Sequence, residues 1–133
     1  MAHQYTHELQ VRFRDLDTMA HVNNAVYASY LEQARVGYFR EVVGERLESV
    51  STVLARYEID FRRPITVDDA VTVAVDAATL GTSSITLEYD VRAADGDGAD
   101  RLAATASTVS VLVDPETGDA QPLPEAWRER IEG

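Results

Sequence analysis

An α+β chain, with a five-stranded antiparallel sheet wrapped around one long central helix, is the fold class this sequence predicts. Three observations predict it. Between Asn24 and Val43, Tyr27, Leu31, Ala34 and Tyr38 fall on one helical stripe at i, i+4, i+7 and i+11, and Val26, Tyr30 and Gly37 widen it beyond the band of a surface helix. Alternating strand patterns occupy the rest, including Val71, Val73, Val75 and then Ile85, Leu87, Tyr89, Val91. One strand, one helix and then four strands joined by short turns is an order in which an antiparallel sheet curls around the helix.

The first strand runs from Tyr5 to Phe13, with Leu9, Val11 and Phe13 on one face. A polar turn follows, and Asn23 or Asn24 caps the helix by accepting from a first-turn N–H. The width of the stripe predicts a helix wrapped on most sides, ending near Val43 where Gly44 offers a left-handed stop. In the second strand Val53, Ala55, Tyr57, Ile59 and Phe61 alternate with Leu54, Arg56, Glu58 and Asp60, and Pro64 closes it before a turn at Val67-Asp68-Asp69. Gly81 separates the third and fourth strands, and residues 94–100 (ADGDGAD) form a solvated hairpin tip. The last strand, Leu102 to Val113, has apolar residues on both faces near its end, which suits an interior place in the sheet. A turn at Asp114 to Gly118 and a short helix from Pro124 to Ile131 finish the chain.

The 133 residues make a single domain, 1–133, large enough for a real core. A lone sheet with open edges invites pairing, so the expectation is at least a homodimer. With no Cys, neither disulfides nor a thiolate nucleophile or ligand is available. No stretch approaches the ~20 apolar residues of a membrane span, and no apolar run opens the sequence, so the expected location is the cytoplasm. A net charge of −11 argues against nucleic acid as partner, because phosphate binding relies on a basic surface. All 12 basic residues are Arg, against 23 Asp and Glu spread along the chain. That balance predicts an acidic, salt-adapted surface, a statement about solubility rather than about fold.

The turn gathers Asp15, Asp17, His21, Asn23 and Asn24, a density of titratable and hydrogen-bonding groups that a plain connection does not need. No metal is expected, since His3 and His7 have no Cys or His cluster beside them, and neither a Gly-rich phosphate loop nor a Ser-centred elbow occurs.

The segment from Arg12 to Tyr27, R-x-R-D-x-D-x-M-x-H-V-N-N-x-x-Y, followed by LEQAR, YEIDFRRPITVDD and DPETGDAQPLP, resembles the 4-hydroxybenzoyl-CoA thioesterase-like family of hotdog-fold acyl-CoA thioesterases. Around HVNNxxY it is also similar to the plant acyl-carrier-protein thioesterases. The resemblance implies the hotdog fold, dimers that pair into tetramers, active sites at the dimer interface, and an acyl-CoA substrate with no separate cofactor. By position it implies that the catalytic carboxylate is Asp17 and that the N–H polarising the thioester lies at the helix start near Asn24. The chemistry is reasonable in its own right. A carboxylate attacks the carbonyl or takes a proton from water, while helix N-terminal N–H groups stabilise the oxyanion.

Each assignment has a structural competitor. Asp17 also reads as a turn former. Asp15, two residues away in an extended segment, would point the same way, with one carboxylate reaching the pocket and the other pairing with Arg12 or Arg14. His21 is read either as a helper, donating to the carbonyl, protonating the departing thiolate or orienting Asp17, or as a satisfied turn histidine. Met19 stands where the carrier-protein enzymes have an Asn. Asn23 and Asn24 serve as caps whether or not they serve substrate. Glu32 is a weaker acidic candidate, with an ion pair to Arg35 the plainer reading. Arg62 and Arg63 suit coenzyme A phosphates or ion pairs to Asp60 or Asp68. Thr82, Ser83 and Ser84 suit a pantetheine channel or a simple hairpin, and Tyr27, Tyr30 and Tyr57 suit the core. Beside thioester hydrolysis stand an enoyl-CoA hydratase and a non-catalytic acyl-binding protein. Hydratases of this fold place four residues between Asp and His, a spacing that neither Asp17 nor Asp15 makes with His21.

Overall fold

The computed structural model describes residues 2–133. Period-2 alternation turns Tyr5, His7 and Leu9 inward along β1 (Tyr5–Gln10), but the strand stops there. The chain then tightens into a 3-10 turn at Phe13–Asp15, stabilised because the Asp15 carboxylate accepts from the Arg12 N–H at 2.9 Å. Phe13 is therefore not an inward strand residue, as expected, but 85% exposed.

Helix α1 (Val26–Tyr38) buries Tyr27, Tyr30, Leu31, Ala34, Gly37 and Tyr38. Its other side, Ala28, Ser29, Glu32 and Gln33, is exposed. The helix is thus covered along one broad face and open along the other, not wrapped on most sides. Gly37 lies under the Tyr5 ring, where any Cβ would collide, so β1 and α1 pass close together. A π-helical turn, Phe39–Val43, continues the helix to Gly44, whose φ of +83° ends it as predicted. Arg130 of α2 (Glu125–Glu132) donates to the Val43 carbonyl at 2.8 Å, and Trp127 meets Phe39 edge-on at 6.0 Å, so the last helix locks the end of the first.

The remaining strands are β2 (Thr52–Phe61), β3 (Ala70–Leu80), β4 (Ser84–Ala94) and β5 (Asp100–Leu112). They form one antiparallel sheet in the order β1-β3-β4-β5-β2, the hotdog arrangement, with β5 interior as expected. Val71, Val73, Val75, Leu87 and Val91 are fully buried against α1. Each such side chain contributes about 1.5–3 kcal/mol of burial. The opposite face carries Glu88, Asp90, Arg92, Thr105 and Ser107, which solvate it without a second layer.

Strand β2 departs from simple alternation. A bulge between Leu54 and Arg56 adds one residue against β5 and reverses the phase, so Leu54, not Val53, shares a face with Tyr57, Ile59 and Phe61. This is an edge strand, and Val53, Leu54, Tyr57 and Phe61 are 39–50% exposed on it. Tyr57 is accordingly not a core residue, whereas Tyr30 is. No helix among the described residues is long and apolar enough to cross a membrane.

Candidate active site

The β1–α1 turn separates two carboxylates that an extended segment would have aimed together. The 3-10 turn carries Asp15 inward, where it is 2% exposed and accepts from the Tyr30 hydroxyl at 2.8 Å and from Arg12 Nη2 at 3.3 Å. Burial alone would raise its pKa. The Arg12 N–H, the Tyr30 hydroxyl and the Arg12 charge outweigh that and hold it below the ordinary carboxylate value. Burial and the adjacent Asp15 push the Tyr30 hydroxyl up, so it stays protonated and donates.

Asp17 is left exposed. Its Oδ1 accepts from the N–H groups of Met19 (2.9 Å) and His21 (3.2 Å), while Oδ2 has no hydrogen-bond donor among the described residues. The turn-forming reading thus holds for Oδ1 and leaves Oδ2 outside the turn's own hydrogen bonds. Ala20 adopts φ +61°, a left-handed backbone that costs a non-glycine residue roughly 1–2 kcal/mol. The Asp17 N–H donates to the His21 carbonyl at 2.7 Å and closes this turn. It is the His21 backbone, not its imidazole, that orients Asp17, since the ring makes no hydrogen bond among the described residues.

Neither asparagine caps α1, whose N-cap is Ala25 without a side-chain bond; Asn23 instead forms a turn just ahead of the helix, its Oδ1 accepting from the Ala25 N–H at 2.9 Å and its carbonyl from the Val26 N–H at 2.8 Å. Asn24 is spared that work, and its N–H has no acceptor among the described residues. An unpaired N–H just ahead of α1 sits at the positive end of the helix dipole.

Asp17, His21 and Asn24 line one wall of a cavity of about 240 Å³ whose opposite wall is Phe61, Arg62, Arg63 and Pro64. Val22 and Tyr27 form its apolar floor, and the Tyr27 and Phe61 rings meet edge-on at 5.0 Å. Tyr27 is therefore both buried and a cavity residue. A β-bridge between His21 and Thr66 and a bond from the Val22 N–H to the Ile65 carbonyl at 2.8 Å join the two walls, while a bridge between Leu16 and Val22 closes the turn itself.

Arg62 and Arg63 also line an adjoining surface depression of about 660 Å³ with Arg92, Asp100 and Arg101. Contrary to the ion-pair expectation, neither pairs with Asp60 or Asp68 among the described residues; Arg62 reaches Thr105 at 3.4 Å. Arg101 instead bonds Asp69 at 2.5 Å, and Arg92 bonds Asp100 at 3.3 Å. Nor does Glu32 pair with Arg35. Both lie along a separate groove, with Leu47 and Glu48, because the open side of α1 turns Glu32 to solvent. Thr82, Ser83 and Ser84 are at the far end of β3 from the cavity and do not join it within one chain. The Gly81 carbonyl accepts from Arg128 there.

The sequence reading overlooked Asp69, Arg101, Phe61 and the strained Ala20. Asp69 looked like one of two equivalent turn aspartates, and nothing local distinguished it from Asp68. No group of His, Asp or Glu among the described residues comes together in a way that could hold a metal ion.

Three known proteins are similar to this chain. A thioesterase from Thermus thermophilus, solved with coenzyme A and Zn, is 43% identical, with 98% of this chain and 93% of that one covered and a TM-score of 0.85. The PA2801 protein of Pseudomonas aeruginosa is 29% identical over 96% of this chain and 97% of its own, also with a TM-score of 0.85. The long-chain acyl-CoA thioesterase FadM of Escherichia coli is 28% identical, covering 94% of this chain and 95% of itself. A family profile matches residues 11–131, a span that takes in both walls of the cavity, and this chain belongs to the thioesterase-like superfamily.

Proposed function

We propose that this chain hydrolyses an acyl-CoA thioester to the free acid and thiol at the cavity between the β1–α1 turn and the Arg62–Pro64 segment. One observation carries the reading. Asp17 Oδ2 and the Asn24 N–H, both without a hydrogen-bond partner among the described residues, are of the kinds that thioester cleavage needs, and both residues line the same cavity.

Asp17 Oδ2 either attacks the thioester carbon or takes a proton from the water that does. In both routes the carbonyl oxygen gains negative charge, and the Asn24 N–H with the dipole of α1 stabilises it. The carbon–sulfur bond then breaks, giving the free acid directly on the water route and, on the other, an acyl-Asp17 anhydride that a water then cleaves to the free acid and the restored carboxylate. The leaving thiolate takes up a proton, returned by the Asp17 carboxyl on the water route. His21, on the same wall, is the second group able to supply it. Tyr27, Phe61 and Val22 face the acyl group, and Arg62 and Arg63 face the anionic end of coenzyme A.

The test is free-thiol release from a panel of acyl-CoAs, from acetyl to palmitoyl and including benzoyl, at low and molar KCl. Asp17→Asn is expected to cut turnover at least about 100-fold without lowering Tm, on the scale of removing a charge-stabilising catalytic group. Turnover within a fewfold of the parent would sink the assignment. A single turnover in heavy-oxygen water bears on the two routes, because label in Asp17 requires an anhydride cleaved at the Asp17 carbonyl, and its absence favours activated water. By light scattering the same preparations should be dimers, since pairing of β2 with a second copy would cover its exposed apolar residues and wall the open side of the cavity beside Phe61. A monomer at assay concentration would contradict that part.

A further inference from the structure

Asp15 and Asp69 are the two buried charged side chains among the described residues. Both stand directly behind the candidate site, one behind each wall. We infer that these two buried carboxylates are positioning residues with separate duties, Asp15 fixing the wall that performs the reaction and Asp69 fixing the wall that holds the substrate's anionic end.

Asp15 ties together the parts of the reacting wall. Its carboxylate joins the Arg12 N–H to the Tyr30 hydroxyl, which stands on α1 a little beyond its first turn. Its carbonyl accepts from the Asn23 N–H at 2.8 Å, and Asn23 in turn accepts from the Ala25 and Val26 N–H groups at the start of α1. The Asp17 turn on one side and the Asn24 N–H on the other are thereby referred to a single buried carboxylate. The separation of attacking oxygen from oxyanion donor depends on that link, and a displacement near 1 Å in such geometry costs about 100-fold in rate.

Asp69 performs the corresponding task opposite. It is 6% exposed and accepts from the Thr66 N–H at 2.7 Å and from Arg101 Nη2 at 2.5 Å. The same Arg101 nitrogen donates to the Pro64 carbonyl at 2.9 Å. The Arg62 and Arg63 N–H groups both donate to the Ala103 carbonyl, at 2.8 and 3.1 Å, beside Arg101 on β5. The ion pair thus pins the segment bearing Arg62 and Arg63, whose guanidinium groups have no carboxylate partner among the described residues and suit phosphate. Neither Asp15 nor Asp69 lines the cavity, so neither touches the reacting atoms.

This inference rests on the proposed thioesterase reading, and its test separates the two. Asp15→Asn, Tyr30→Phe, Asp69→Asn and Asp69→Glu are assayed with the most active acyl-CoA of the panel and with its acyl-pantetheine analogue, which lacks the nucleotide. Tyr30→Phe and Asp69→Glu keep the test open should either Asn variant fold poorly. Asp15→Asn and Tyr30→Phe should lower kcat about 10-fold to 100-fold on both substrates with KM within about twofold, the signature of a lost transition-state interaction. The Asp69 variants should raise KM for acyl-CoA about tenfold and leave kcat and the acyl-pantetheine kinetics within about twofold, the signature of lost uniform binding. Parallel changes in kcat and KM at both sites, or no change at either, overturn the inference even though the parent remains a thioesterase. A parent that cleaves no thioester overturns the underlying reading instead.

Discussion

The β1–α1 turn and the β3–β4 hairpin are both short, polar and bounded by buried segments, yet they use their polar groups in opposite ways. At the hairpin the carbonyls of Gly81, Thr82, Ser83 and Ser84 all accept, from Arg128, Leu123, Leu112 and Gly81 respectively. At the turn, Asp15 and Asn23 absorb the structural work, which leaves Asp17 Oδ2 and the Asn24 N–H unpaired. The hairpin's backbone carbonyls are thus engaged in joining elements, whereas the turn keeps a carboxylate oxygen and an N–H without a partner among the described residues. Unpaired groups are costly when buried. These two cost little because Asp17 and Asn24 are exposed, so water or a substrate carbonyl can reach them.

That contrast can be broken in three ways, in descending size of effect. Replacing the Asn24 amide N–H by an ester oxygen through semisynthesis should reduce kcat about 100-fold to 1,000-fold, the usual loss for one oxyanion donor. Activity close to the parent's would mean that another donor serves the carbonyl. A middle effect concerns acid. Asp15 and Asp69 are buried, which alone would raise their pKa, but hydrogen bonds and the Arg12 and Arg101 charges bring both below the ordinary 3.8. A folded-state pKa below the unfolded one gives stability that is present above pH 3.8 and lost as pH falls through the lowered values. Hydrogen-exchange protection at residues 15–24 should therefore fall before that at residues 81–84 as pH drops below 3.8. Simultaneous loss would show that the turn has no acid-sensitive support of its own. The smallest effect belongs to Thr82→Ala and Ser83→Ala, which should leave kcat and KM within about twofold and stability within about 0.5 kcal/mol. A large rise in KM would bring the hairpin into the substrate path, through a second copy.

Much of the architecture was legible because periodicity is a local property. The stripe from Tyr27 to Tyr38 and the alternation through Val71–Val75 and Ile85–Val91 declare the buried faces directly, and Gly44 declares the stop. The errors share a cause as well. The bulge before Arg56, the end of β1 at Gln10 and the open flank of α1 depend on what a neighbouring element offers, and alternation carries no record of that.

At the site, the family resemblance pointed to Asp17 and the backbone near Asn24, residue type added His21, and all three line the cavity. Residue type did not distinguish the roles of Asp15 and Asp69. By itself the sequence determined which groups able to do chemistry this chain possesses, that thiol chemistry is excluded, and that one sheet and one helix would be made. Tertiary structure alone decided which carboxylate, Asp15, is buried and bonded into the fold and which, Asp17, is left exposed. The reason is that bonding capacity is consumed by partners far away in sequence: Tyr30 reaches Asp15 across the turn, and Arg101 reaches Asp69 from another strand.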